Sequence, residues 1–143
     1  GIVFLHRDDL LARYLSHQVV LRQTGVTNVP SGGELPRIEP FEVDIEDCIA
    51  DIVETRRRQR EFDAAFATHR CLHLHYEDLS ADPQGQCNRV FEFLGLPPAP
   101  VRVATEKLVR DPPERLVLNH AALIAALRDA GLDTAVRGEG CVD

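Results

Sequence analysis

Two short stretches, residues 2–5 and 71–76, carry strand-type residues, and everything between and after them has helical spacing or loop composition. This constrains the chain more than any other feature. Ile2-Val3-Phe4-Leu5 is a continuous apolar run of the kind that suits a strand buried on both faces. Strands joined through helices pair in parallel, which places the chain in the α/β class. Two strands make a poor sheet, because strands buried on both faces want neighbours on each side. The expected fold is therefore part of a parallel sheet with flanking helices, completed by a segment these residues do not supply.

The helical segments carry their own start and stop signals. Asp8-Asp9 precede a face made of Leu11, Tyr14, Leu15 and Val19, and Gly25 ends that segment. Residues 25–42 hold Pro30, Gly32, Gly33, Pro36 and Pro40 and read as a loop long enough to sit over a site. Residues 43–68 read as a long helix with Ile45, Ile49, Ile52, Phe62 and Phe66 on a stripe and Glu54 spaced to pair with Arg58. Asp82 before Pro83 reads as an N-cap, with Cys87, Val90, Phe91 and Leu94 as the apolar face and Gly95 as the stop. A last helix is expected over residues 119–130, with Leu123, Ile124 and Leu127 inward and Gly131 at its end. Residues 1–133 form one domain on this reading, and 134–143 a frayed tail.

The formal net charge of −7 argues against a nucleic-acid or anionic-membrane partner, which would select a basic surface. The longest apolar run, residues 121–127, falls far short of the roughly 20 residues a spanning helix needs. Cys48, Cys71, Cys87 and Cys141 form no close pair and read as reduced thiols of a cytoplasmic protein. Cys71, His73 and His75 alternate along the second strand and share a face, a row that a metal could use. Core packing is a sufficient explanation for that row, and no metal is expected. Arg56-Arg57-Arg58-Gln59-Arg60 reads as a solvated face paired with Glu54 and Glu61.

Arg7 closes the first strand and Tyr76 the second. Ligands of open α/β sheets bind outside the carboxyl ends of strands. An arginine there can grip a phosphate through two parallel hydrogen bonds, and a tyrosine can lie against an adenine ring with its hydroxyl in water. Ser16, about two turns up the helix that follows Arg7, could donate to the same anion. Taken singly, each of these residues also reads as ordinary surface or packing.

The segment Tyr76-Glu77-Asp78-Leu79, then Asp82-Pro83, then Val90-Phe91-Glu92-Phe93-Leu94-Gly95 resembles the sulfotransferases that use 3′-phosphoadenosine 5′-phosphosulfate (PAPS). Residues 5–16, from Leu5-His6-Arg7-Asp8-Asp9 to Tyr14-Leu15-Ser16, look like that family's arginine-to-serine segment, especially in its bacterial branch. Thr105-Glu106-Lys107, Glu114 and Asn119 are similar to the same branch, so the likeness runs over about residues 2–130.

The resemblance implies a P-loop-NTPase-like fold of which this chain is the C-terminal half. It implies Arg7 and Ser16 on the 3′-phosphate of PAPS or adenosine 3′,5′-bisphosphate, Tyr76 on the adenine, and Thr105 and Lys107 closing over the same end. Glu77 and Asp78 would be structural. The full enzyme would transfer a sulfuryl group to a hydroxyl or amine of a small-molecule or carbohydrate acceptor.

The family's glycine-rich loop for the 5′-phosphosulfate has no counterpart here. Ser31-Gly32-Gly33 is flanked by proline and lacks the residues that should follow a phosphate cradle. No residue takes the role of general base, so the catalytic residues stay unassigned and the chain alone is not expected to catalyse the transfer. A missing N-terminal half or a second copy of the chain would be its partner. A catalytically inactive module that dimerises through its sheet edge, and the C-terminal half of a nucleotide kinase, are the alternatives.

Overall fold

The computed structural model describes residues 1–135. In chain order the elements are β1 (Ile2–His6), α1 (Leu10–Val19), a π-helical turn (Val20–Thr24), β2 (Val29–Pro30), α2 (Ile45–Ala65), β3 (Cys71–His75), α3 (Tyr76–Ala81), α4 (Pro83–Leu94), β4 (Thr105–Glu106), α5 (Pro113–Leu116), α6 (His120–Asp129) and a 3-10 turn (Asp133–Ala135). They fall into two compact units. One holds Gly1–Asp8 and Arg56–Val103, the other Asp9–Thr55 and the described residues from Ala104 onward.

In the first unit β1 and β3 pair in parallel, from Ile2 opposite Cys71 to His6 opposite His75. The expected α/β class with a small parallel sheet and flanking helices is therefore observed. Burial differs from expectation: on the face they share with Leu74, which is buried at 3%, Val3 is 39% and Leu5 55% exposed, so the cover lies over β3 and leaves β1 open. The opposite face carries the rings of Phe4, His6 and His73, with Phe4 and His73 nearly parallel at 5.1 Å. Phe66, from the turn after α2, packs beside Phe4 at 6.0 Å.

The strand expected to run to Tyr76 stops at His75, and Tyr76 opens α3. The physical reason is that β1 offers no partner beyond His6, while Glu77 and Asp78 suit the positive end of a helix. Asp82 caps α4 as its spacing predicts, accepting from the Gly85 amide at 2.9 Å with Pro83 in the first turn. Gly95 closes α4 with φ 70°, while the Gly95 and Leu96 amides donate to the Glu92 and Phe91 carbonyls. This double bond is the glycine-terminated cap that satisfies the last carbonyls of a helix. Of the expected apolar face of α4, Cys87, Val90 and Phe91 are half-buried, but Leu94 is 52% exposed and Phe93 is buried instead. The Phe93 ring takes the Arg70 guanidinium at 4.4 Å, a contact between elements that helical spacing does not show.

A Cβ built on Gly85 would lie 2.0 Å from the capping Asp82 carboxylate. Alanine at this position ordinarily gains up to about 1 kcal/mol of helix propensity, but here it would displace a cap worth about 1 kcal/mol. Gly85→Ala is therefore expected to give no net stabilisation in the wild-type chain. It should stabilise by roughly 0.5–1 kcal/mol once Asp82→Ala has removed the cap. Urea denaturation of the two single variants and the double variant checks this.

The second unit holds the main core. Leu11, Tyr14, Leu15 and Val19 of α1 meet Cys48 and Ile52 of α2 and Leu123 and Leu127 of α6, all essentially inaccessible. Asp9 caps α1 through the Ala12 amide at 2.7 Å, as expected. Tyr14 keeps its hydroxyl satisfied by donating to Asp47 at 2.8 Å. Of the stripe expected along residues 43–68, Ile52 is buried, whereas Phe62, in the part of α2 assigned to the first unit, is 56% exposed.

The loop of residues 25–42 is more structured than its composition implies. It contributes β2, which pairs antiparallel with β4. Phe41 exchanges backbone hydrogen bonds with Leu116 and Leu118. The Asn119 side chain both accepts from the Val43 amide at 2.9 Å and donates to its carbonyl at 2.8 Å. At the other end Ala135 is fully buried, so the chain is ordered past residue 133, and the rest of the expected tail lies outside the described residues.

Candidate functional site

The carboxyl ends of β1 and β3 lie side by side because their register pairs His6 with His75. The residues that follow are Arg7 and Tyr76, and the structure brings them together: the Arg7 guanidinium carbon sits 4.0 Å from the centre of the Tyr76 ring. Such a contact is worth about 0.5–2 kcal/mol, more as water is excluded. Glu77 holds the arrangement from below, with Oε1 3.4 Å from Arg7 Nε and Oε2 accepting from the Asp8 amide at 3.2 Å. The structural role expected of Glu77 is thus visible as a bond to a neighbouring backbone amide.

Arg7 Nε is buried and makes no hydrogen bond, its contact with Glu77 being an ion pair without hydrogen-bond geometry. Buried donors are seldom left this way. Glu77 faces this buried nitrogen, so a phosphate would meet the outer nitrogens of the fork, the side chain being 23% exposed.

Asp8 adds a feature that the sequence pattern did not single out. Its Oδ1 lies 2.8 Å from His75 Nδ1, which fixes the orientation of that ring at the same strand end. The Cys71, His73 and His75 row along β3, explained from the sequence by packing, does not converge on one point. Cys71 donates to the Phe66 carbonyl at 3.5 Å, His75 turns to Asp8, and His73 turns across the sheet to His6.

The other three candidates belong to the second unit, and each is placed within it. Ser16 is half-buried on α1. Thr105 opens β4 opposite Pro30, and Lys107 follows β4; both are exposed. Glu106 between them accepts from the Gly32 amide at 2.7 Å and pairs with Arg110. The Gly32 amide first, then Arg110, hold the Glu106 carboxyl below its usual range. A phosphate approaching Ser31-Gly32-Gly33 would meet this carboxylate, in keeping with the reading that the segment is no phosphate cradle.

The loop before α2 encloses an open groove of about 480 Å³ lined by Thr24, Val26, Val29, Leu35, Pro36 and Arg37, among others. Cys48, Cys71 and Cys87 are free thiols, and Cys141 lies outside the described residues. Burial, reinforced by Asp51 and Asp47, pushes the Cys48 thiol up to about 12, so it stays protonated and inert as a nucleophile.

Among the described residues no helix is long and apolar enough to cross a membrane. No curated protein and no solved structure matches the chain. The sulfotransferase family model matches residues 1–100. That span includes Arg7, Ser16 and Tyr76 and stops short of Thr105 and Lys107, so the likeness expected out to residue 130 is met over its first 100 residues. On this match, which covers well over half of its length, the chain belongs to the sulfotransferase family.

Proposed function

We propose that this chain grips the 3′-phosphoadenosine end of PAPS in a bacterial-type sulfotransferase, with Arg7 on the 3′-phosphate and Tyr76 against the adenine. The observation that carries the reading is the Arg7 guanidinium, held through Nε by Glu77 and set 4.0 Å from the centre of the Tyr76 ring. A cation and an aromatic surface are what a phosphorylated nucleoside requires, and both sit at the carboxyl rim of a parallel sheet. Ser16, Thr105 and Lys107 are assigned to the same nucleotide on the resemblance.

The bound donor supplies the sulfuryl group, which passes to an acceptor hydroxyl or amine. Arg7 binds and orients the nucleotide and takes no proton in the transfer. The cradle for the 5′-phosphosulfate and the base that receives the acceptor's proton come, on this proposal, from a segment packed against the open face of β1. The groove formed by the 25–42 loop is the part of this chain that meets the acceptor, a small molecule or a carbohydrate.

Nuclear magnetic resonance titration with two ligands tests the proposal. Adenosine 3′,5′-bisphosphate and adenosine 5′-phosphate differ only in the 3′-phosphate. The bisphosphate is expected to bind in the roughly millimolar range, to shift the Arg7 Nε–H and Tyr76 ring signals, and to bind more tightly than the monophosphate. Equal or tighter binding of the monophosphate, or no response of those signals up to about 10 mM, overturns it.

A further inference from the structure

The face of the β1–β3 sheet that carries the stacked rings holds a cluster that the nucleotide reading does not use. His6 Nε2 and His73 Nδ1 lie 2.8 Å apart, and Asp63 Oδ1 of α2 lies 4.0 Å from each. The three ligand atoms all fall within 4.8 Å of one another. They come from three elements of one unit, and the backbone sets their positions. The register places His6 diagonally across from His73, two pairs beyond Phe4–His73 and on the same face. The ring stack of Phe4, His6 and His73 holds both imidazoles nearly parallel, 12° apart.

The chemistry of this trio points to a cation. Two imidazole nitrogens facing each other at 2.8 Å cannot both carry a proton, so at least one lone pair points into the cluster. The nearby carboxylate adds negative charge and a second acceptor. Around a tetrahedral zinc ion with Zn–N of about 2.0–2.1 Å, neighbouring ligand atoms sit about 3.3 Å apart. The imidazoles need to separate, and the carboxylate to approach, by well under about 1 Å to reach that spacing. His73 and Asp63 are 47% and 46% exposed at the side chain, so both have room to move and an ion has a path in.

We propose that His6, His73 and Asp63 form a binding site for a divalent transition metal of the zinc type, with water in the fourth position. Two imidazoles and one carboxylate select such ions over magnesium or calcium, which favour all-oxygen sites. Bound there, the ion would tie β1, β3 and the second half of α2 together. The proposal is independent of the nucleotide reading, since it uses none of Arg7, Ser16, Tyr76, Thr105 or Lys107.

Titration of the untagged full chain with Zn²⁺ by calorimetry, and with Co²⁺ by visible absorption, tests it. One equivalent should bind with Kd at or below about 10 µM, with a four-coordinate cobalt spectrum. His73→Gln and Asp63→Asn should each weaken binding at least tenfold, and Cys71→Ser should leave it unchanged. In the wild-type chain zinc should shift the imidazole nitrogen signals of His6 and His73 and leave those of His17 and His120 in place, a readout that needs no variant to fold. Absence of saturable binding, or unmoved His6 and His73 signals, overturns the site. So does undiminished binding in His73→Gln or Asp63→Asn, or loss of binding in Cys71→Ser.

Discussion

Arg7→Lys is expected to weaken binding of adenosine 3′,5′-bisphosphate roughly 10- to 100-fold while leaving adenosine 5′-phosphate within about twofold. The substitution keeps one positive charge near Glu77 and removes the planar fork. Guanidinium offers donors in a fixed geometry that matches two phosphate oxygens, and its planar group can stack on the Tyr76 ring, whose centre is 4.0 Å from the guanidinium carbon. An ammonium group is a point charge that does neither. Hydrogen bonds to a charged group are worth about 1.5–3 kcal/mol each, which sets the size of the effect. The monophosphate lacks the group that Arg7 is assigned to hold, so its affinity is the internal control. Calorimetric or resonance titration of both ligands against wild type and variant reads the result. Equal losses for the two nucleotides would place Arg7 on some other part of the ligand, and unchanged bisphosphate binding would remove its role.

Leu11→Ala is expected to destabilise the chain by about 3 kcal/mol, near the lower half of the range for a leucine removed from a packed interior. Leu11 is fully inaccessible and belongs to the same buried cluster as Tyr14, Ile52 and Leu123. Removing three side-chain carbons there loses their transfer free energy and leaves a void that rigid neighbours only partly fill. For a chain of 143 residues this corresponds to a fall of roughly 10 °C in Tm. Leu5→Ala, at a residue 55% exposed, should change stability by no more than about 0.5 kcal/mol. Thermal and urea denaturation followed by far-ultraviolet circular dichroism compares the two. A loss at Leu11 no greater than that at Leu5 would show that the α1 face does not carry the core.

What could be read from the sequence was mostly local. Asp9 and Asp82 act as helix caps, and Gly95 and Gly131 end their helices with positive φ, because each needs only residues within one turn. The parallel pairing of β1 and β3 was also legible, since a strand–helix–strand order leaves few alternatives. Arg7 and Tyr76 were placed at one rim by that same topology, and the structure puts them in contact. Other features depend on which element lies opposite, and no single segment states that. Phe93 replaces Leu94 in the interior because the Arg70 guanidinium and the turn before β3 define its surroundings. His73 meets His6 because of a cross-strand diagonal, while alternation along β3 pointed to Cys71 and His75 instead. The β2–β4 pairing joins two-residue strands that lie far apart in the chain, too short for any pattern to show.

With one neighbour each among the described residues, β1 and β3 both present an outer row of backbone amides and carbonyls, and Val3 and Leu5 lie exposed beside that row. A lone pair of parallel strands gains little from its own ladder, so the ladder behaves as a docking template: a third strand laid along β1 would gain bonds and shed apolar surface in one step. The same template does not distinguish a cognate strand from a stray one. Concentrated solutions of the chain should therefore favour self-association through β1, and a complementary strand supplied at the same edge would compete it away.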